Sequence, residues 1–367
     1  MLARLNTYGL AILIVAGSCA WALPCAAQVH QTATVSDLSP ISELTYRVSL
    51  REFDFGAADL PTLHSFAAAE QDGKWILLAG RTNGLHGFEQ GGANNFPEAF
   101  QNRDVWVIDP VAKQSWRRSL EDVSSGLSAE AIAALTPTNN QFTQIGDRLY
   151  MTGGYGVNAA GAPGTFSVLS ALDLPGIIDW VENGTGQASD HIRQISDPAV
   201  SVTGGAMYAM GGKLHLVFGQ DFQGGYNPTK NGTYTKEVRR FEIVDDGVSL
   251  AIVNAASQAG STPEETDAFR RRDLNVFPVL RSDGMDGVEE GLVVLSGVFT
   301  TGFGAWTVPV EIDAAGVPRQ ADHGNHPLNQ NDELDNDPSV FRQGFNGYHS
   351  AKLGMYSDAT GEMHELL

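Results

Sequence analysis

Cysteine is almost absent from this chain. There are two in 367 residues, Cys19 and Cys25, and both lie within the first 27 positions. A chain cleaved after Ala27 has none, so it holds no disulfide and must rest on an ordinary core. Positive charge is scarce as well: 23 Lys and Arg face 43 Asp and Glu, a net charge of −20. That balance argues against nucleic acid and anionic membrane surfaces as partners, since both repel it. After the N-terminal segment no apolar run is long enough to span a bilayer. No Gly-rich phosphate loop precedes a helix, and no G-x-S-x-G elbow occurs. His323 and His326 sit close together without a third ligand of clear spacing. Asn329–Asp337 (NQNDELDND) is rich in oxygen ligands. It lacks the sixth-position glycine of an EF-hand loop and reads as a solvated acidic loop. No cofactor and no metal are expected.

What is present begins with an export signal. Arg4 supplies a short positive region, Leu10–Ala16 (LAILIVA) an apolar core, and Cys25-Ala26-Ala27 the small residues of a cleavage site. Residues 1–27 are therefore expected to be a signal peptide, 28–44 a linker and 45–367 one β domain. The expected location is secreted, periplasmic or in the cell envelope. Lipid anchoring at Cys19 is a minor alternative. The missing disulfides tilt the reading towards a bacterial envelope. Asn183-Gly-Thr185 and Asn231-Gly-Thr233 then read as turns rather than glycosylation sites.

Glycine is plentiful, at 41 residues, and it is periodic. Short apolar runs end in Gly80, Gly154, Gly219 and Gly297, and a fifth run begins at Met363. Each follows a second apolar segment and a turn such as Asp72-Gly73 or Gly211-Gly212, which predicts β-hairpins. A third strand follows each glycine, at 104–109, 167–173, 238–243 and 306–313. Trp116 and Trp180 mark an outer fourth strand in the first two units. Four-stranded antiparallel meanders that recur and cannot each bury two faces pack radially, which predicts an all-β propeller with four full blades and the start of a fifth.

These features resemble kelch-repeat propellers. The resemblance rests on the apolar strand ending in Gly-Gly or Gly, the apolar strand ending in Asp, and a tryptophan shortly beyond, as in Asp109 to Trp116 and Asp173 to Trp180. It covers roughly residues 60 to 367. Only Gly153-Gly154 keeps the full pair, and the repeat averages about 72 residues against about 50 for kelch. Units three and four lack the outer tryptophan, which leaves their last strand open. The copper radical oxidases that resemble galactose oxidase require a cysteine crosslinked to tyrosine, which a cleaved chain lacks. Sialic-acid mutarotases also resemble kelch propellers; none of their functional residues is carried over.

The sequence stops inside the fifth hairpin. Two explanations stay open: a truncated reading frame, which is preferred, or closure of a five-bladed ring by Thr45–Phe55 (TYRVSLREFDF). Either way 45–55 is expected to be a strand.

A meander places the loops after strand two and the loops between units on one face. Long insertions fall there, at 81–103, 155–165, 220–236 and 255–273. Polar residues beside the glycine ends are Arg81, Tyr155, Gln220 and Asp221. Those entering the inner strands are His64, Gln141, Arg271, Arg272, Asp273, Asn275 and His349. All are candidates for a ring around the channel. Arg270-Arg271-Arg272 is the one basic run, able to hold a carboxylate bidentately. Its plainer reading is charge neutralisation against Glu264, Glu265 and Asp267. The expected role is a binding scaffold for a protein or carbohydrate, with no nucleic-acid partner. The alternative is a carbohydrate-active enzyme, an epimerase, mutarotase or hydrolase, using the channel.

Overall fold

The structure, a computed structural model, describes residues 47, 49, 51–56, 58–90, 95–230, 232–282, 287–295, 297–300, 304–306, 308–320 and 348–367. The segments 1–27 and 28–44, His323, His326 and the acidic loop 329–337 lie outside the described residues. Two compact units divide the chain, Met1–Gly56 and Ala57–Leu367. In the first, the strand expected over 45–55 is not formed among the described residues. Asp54 bends the chain instead: its Oδ1 accepts from the Gly56 N–H at 2.7 Å, an Asx turn that competes with extended pairing.

The second unit is mostly β. Strands β1 (Ala67–Gln71), β2 (Lys74–Leu78), β3 (Asp104–Asp109) and β4 (Gln114–Ser119) form one antiparallel meander. After helix α1 (Ala129–Ala134) come β5 (Gln141–Ile145) and β6 (Arg148–Thr152). A small hairpin, β7 (Tyr155–Val157) and β8 (Pro163–Thr165), separates them from β9 (Val168–Asp173). Helix α2 (Leu174–Asn183) leads to β10 (Ile192–Ser196), which completes the second sheet. The third sheet joins β11 (Ala206–Met210) and β12 (Lys213–Val217) to β15 (Val238–Asp245) and β16 (Leu250–Gln258). A short pair, β13 (Gln220–Asp221) and β14 (Thr233–Tyr234), interrupts it. Helix α3 (Pro263–Ala268) precedes the fourth sheet: β17 (Val276–Ser282), β18 (Val288–Val294), β19 (Val310–Ile312) and β20 (Pro318–Gln320). A last hairpin pairs β21 (Leu353–Ser357) with β22 (Glu362–Leu366).

The turns explain the hairpins. Asp72-Gly73 and Gly211-Gly212 hold both central residues at positive φ (53° and 80°, 57° and 75°), which matches the twist of the flanking strands. Consecutive sheets are tied by two recurring backbone bonds. The first runs through left-handed residues just ahead of each inner strand. Asn139 N donates to Ser65 O, Gly204 N to Asn139 O and Asp273 N to Gly204 O, at 3.2, 3.1 and 2.7 Å. Tyr348, ahead of β21, is left-handed too, at φ 46°. The second runs from the recurring glycines: Gly80 N donates to Pro137 O, Gly154 N to Val202 O and Gly219 N to Arg271 O. A Cβ at Gly219 would lie 2.9 Å from Thr203 O, so the close approach requires glycine. The residue before it is also left-handed in three units, as Ala79, Gly153 and Phe218. The backbone of the glycine pair thus recurs even where only one glycine is kept. The apolar core fills the spaces between consecutive sheets, with Ile76, Leu149 and Leu172 between the first two and Leu216 and Phe241 between the next.

Trp180 is not on an outer strand. It belongs to α2, where Pro175 sits in the first turn and Gly184, at φ 72°, caps the end by donating to Trp180 O. Leu174, Ile177, Trp180 and Val181 fall on one buried face at helical spacing. The outer strand of that unit is β10. Units three and four possess their outer strands, β16 and β20, without a tryptophan. Trp180 is fully buried and its Nε1 donates to Ser124 Oγ at 3.2 Å. Trp180→Phe is expected to cost roughly 1–3 kcal/mol from the lost bond and ring volume; urea denaturation measures it.

Candidate functional site

The residues that follow the glycines pair with those that precede the left-handed positions. The bridges are His64 with Arg81, Thr138 with Tyr155, Thr203 with Gln220 and Arg272 with Val298. Each bridge closes the end of one sheet, and residues from three of them, Thr138 with Tyr155, Thr203 with Gln220, and Arg272, gather around one cavity. Two loops meet there, described over 81–90 and 95–103 and over 220–230 and 232–236. Asn95, 1% exposed, ties them by donating from Nδ2 to Glu89 O (2.8 Å) and Tyr226 O (3.0 Å). Asn227 Nδ2 donates to Gln90 O, and the Tyr155 hydroxyl to Gly224 O at 2.8 Å.

A cavity of about 40 Å3 lies beneath the two loops. Its walls are aromatic: His86 and Phe96 come from the first loop, Phe222 and Tyr226 from the second, and Tyr155 from β7. The rings form a connected cluster. His86 stacks on Phe96 with centroids 4.6 Å apart and meets Tyr226 edge-on at 4.6 Å, while Phe96 meets Tyr155 at 4.9 Å. The floor is polar, made by Asn139, Gln220, Arg272 and Asp273 with Thr138 and Thr203. Asp273 is held by Asn139 Nδ2, which donates to its Oδ1 at 3.1 Å. Arg272 Nε lies 3.4 Å from Asp273 Oδ2.

The electrostatics are local. The His86 Nδ1 is 2.7 Å from the Gly87 carbonyl, which can only accept, so Nδ1 carries the proton and Nε2 is the free acceptor. Burial, with the charges of Arg81 and Arg272, pushes its pKa down, against the pull of the Gly87 carbonyl and Asp273. Burial pushes the Tyr155 hydroxyl up to about 12. It raises Tyr226 too, with Arg272 opposing and Asp273 reinforcing.

Of the residues singled out from sequence, Tyr155, Gln220, Arg272 and Asp273 line the cavity. Arg81 stands behind the wall: it is buried, its guanidinium lies 4.6 Å from the Phe96 ring centroid, and Nη2 donates to Asn83 Oδ1. His64 is exposed beside it. The other five do not line the cavity. Asp221 accepts from Gln223 Nε2 at 2.6 Å. Gln141 is buried and donates to Asn139 O. Asn275 accepts from Ser350 N and ties the last hairpin to the fourth sheet. His349 lies exposed in the turn before β21. Arg271 is fully buried, with its guanidinium 5.0 Å from the Trp306 ring centroid and Nε donating to Ala268 O; burial lowers its pKa to about 9. Adjacent side chains of an extended segment point opposite ways, so Arg271 enters the core while Arg272 faces the cavity. Among the described residues no ion pair joins the basic run to Glu264, Glu265 or Asp267. Asp267 pairs with Lys236, Glu265 accepts from Ser261, and Arg270 lies over the Tyr234 ring at 4.0 Å.

The aromatic wall residues His86, Phe96, Phe222 and Tyr226 escaped the sequence reading. Their signal was the alternation of glycine with aromatics in the two insertions, as in Gly87-Phe88 and Phe222-Gln-Gly-Gly-Tyr226. Among the described residues no three His, Cys, Asp or Glu side chains gather as a metal set, and no helix is long and apolar enough to cross a membrane. No family model matches the chain, and no curated protein does. Among solved structures, one titled "Structure of YjhT" is similar at 12% identity and a TM-score of 0.40, over 74% of this chain and 68% of that one. At that score it carries no argument about this chain.

Proposed function

We propose that this chain is an exported, kelch-like β-propeller that binds a small ligand of carbohydrate class at the mouth of its channel. Export rests on the 1–27 pattern. Radial packing is supported by the two backbone bonds that recur from sheet to sheet. The observation that carries the binding reading is the cavity itself, an aromatic wall over a polar floor. Sugars offer C–H faces to the rings at the rim and a polar substituent to the floor of Asp273, Asn139 and Gln220, the composition expected of a small-molecule site. Phe88 and Leu85, 58% and 62% exposed on the covering loop, extend the apolar rim for the part of a ligand outside the cavity. A stable protein interface buries about 1,200 Å2 or more, and a small concave mouth does not offer that.

Calorimetric titration of the full chain with neutral and acidic mono- and oligosaccharides tests this. A sugar that binds the wild type should bind Tyr226→Ala at least about tenfold more weakly, as a wall ring contributes on the order of 1–2 kcal/mol. Equal affinity in both would place the ligand elsewhere.

One observation favours an enzyme as the second reading. Neutral His86, with Nδ1 donating to Gly87 and Nε2 an acceptor, stands in the same cavity as Tyr226 and Asp273, a base and a proton donor in reach of one ligand. Turnover lost in His86→Ala while binding persists would support it.

A further inference from the structure

Resting on the carbohydrate-binding reading, we propose that the ligand is an acidic sugar, and that its carboxylate enters the cavity and is held by Arg272. Four observations converge. First, the Arg272 side chain is 7% exposed yet lines the cavity. Its guanidinium meets the Tyr226 hydroxyl, but Nε and Nη1 find no hydrogen-bond acceptor in the protein among the described residues. Buried guanidinium N–H groups demand an acceptor, and a carboxylate can take one edge of the fork, Nε with Nη2 or Nη1 with Nη2. Second, Asp273 does not fulfil that demand. Its Oδ1 accepts from Asn139, and its Oδ2 stays 3.4 Å from Nε, an ion-pair distance rather than a hydrogen bond.

Third, the charges that reach His86 are those of Asp273, Arg81 and Arg272, two cations to one carboxylate. A ligand bearing one negative charge leaves the site near neutral, which a low-dielectric cavity favours. Fourth, the size fits one end of a ligand. About 40 Å3 holds about three water-sized groups, enough for a carboxylate and its carbon and too little for a pyranose. The ring then lies outside the cavity, against the exposed Phe88.

The test is calorimetric titration of the full chain with D-galacturonate and D-glucuronate, their methyl esters, and the neutral parents D-galactose and D-glucose. A peptide ending in a free carboxylate is added as the other source of that group. At least one uronate should bind roughly 10- to 100-fold more tightly than its ester or neutral parent, the value of a charge-assisted bond pair. Arg272→Met should erase that difference, and Arg272→Lys should keep only part of it. The ester arm needs no protein variant, so it stands even if Arg272→Met does not fold. If ester, parent and uronate bind alike, the carboxylate assignment is wrong and sugar binding stands. If no sugar binds, or only the peptide does, the carbohydrate reading itself fails and this inference with it.

Discussion

Gly153→Ala is expected to lower stability by roughly 3–5 kcal/mol, while Ala79→Gly, at the equivalent position of the first sheet, changes it by about 1 kcal/mol or less. Both residues are left-handed, at φ 63° and 60°. The neighbours decide the difference. A Cβ at Gly153 would stand 1.9 Å from Val202 O and 2.9 Å from Gln141 Oε1. Val202 O is the acceptor that Gly154 N uses to join the second sheet to the third. The added methyl must therefore drive those sheets apart. Ala79 already carries its methyl in a buried space. Urea denaturation of the two variants measures the contrast; equal and small losses would mean that the inter-sheet contact is looser than described.

Asp245→Ala is expected to cost roughly 1.5–3 kcal/mol, because it takes from the buried Arg193 one of its two carboxylate partners and leaves it only Asp173. The Asp245 side chain is 2% exposed and that of Arg193 7%. Arg193 donates to Asp245 at 2.7 and 3.0 Å and to Asp173 at 2.7 and 2.8 Å, and the Tyr150 hydroxyl adds a bond to Asp245 at 3.1 Å. The cluster stitches β6, β9 and β10 to β15 across the gap between the second and third sheets. Burial raises the Asp245 pKa, but the bonds from Arg193, Gly247 and Tyr150 and the Arg193 charge outweigh it, so the folded value lies below the ordinary one. The pair's contribution is then complete above the unfolded carboxylate value of about 4 and is lost as pH falls through the lower folded value. The wild type should lose this stability in acid, and Asp245→Ala should have already lost it at neutral pH. Stability against pH, measured for both by denaturant midpoint, checks the sign.

The hairpins were legible in the sequence because their causes are local. Asp72-Gly73 and Gly211-Gly212 dictate turns, and alternation dictates the buried face. The glycine ends were legible for the same reason, and the meander then told which chain ends share a face, which is how Tyr155, Gln220, Arg272 and Asp273 could be named. Trp180 misled because its distance from Asp173 repeats that of Trp116 from Asp109. The local signal that wins is Pro175 followed by helical spacing of Ile177, Trp180 and Val181, closed by Gly184. Ser65, Asn139, Gly204 and Asp273 share a backbone conformation and no side-chain type, so their recurrence cannot be read from residues. The wall of the cavity depends on two insertions folding onto each other through Asn95, Asn227 and Tyr155. Such contacts are set by tertiary packing, and no window of sequence contains them.

The most direct measurement is a crystal structure of the full chain grown with whichever of D-galacturonate and D-glucuronate binds more tightly, at saturation. The carboxylate should lie beside Arg272 at hydrogen-bond distance, about 2.7–3.0 Å, with the sugar ring outside the cavity against Phe88. A sugar bound away from the two covering loops, with the cavity holding only water, would contradict that placement.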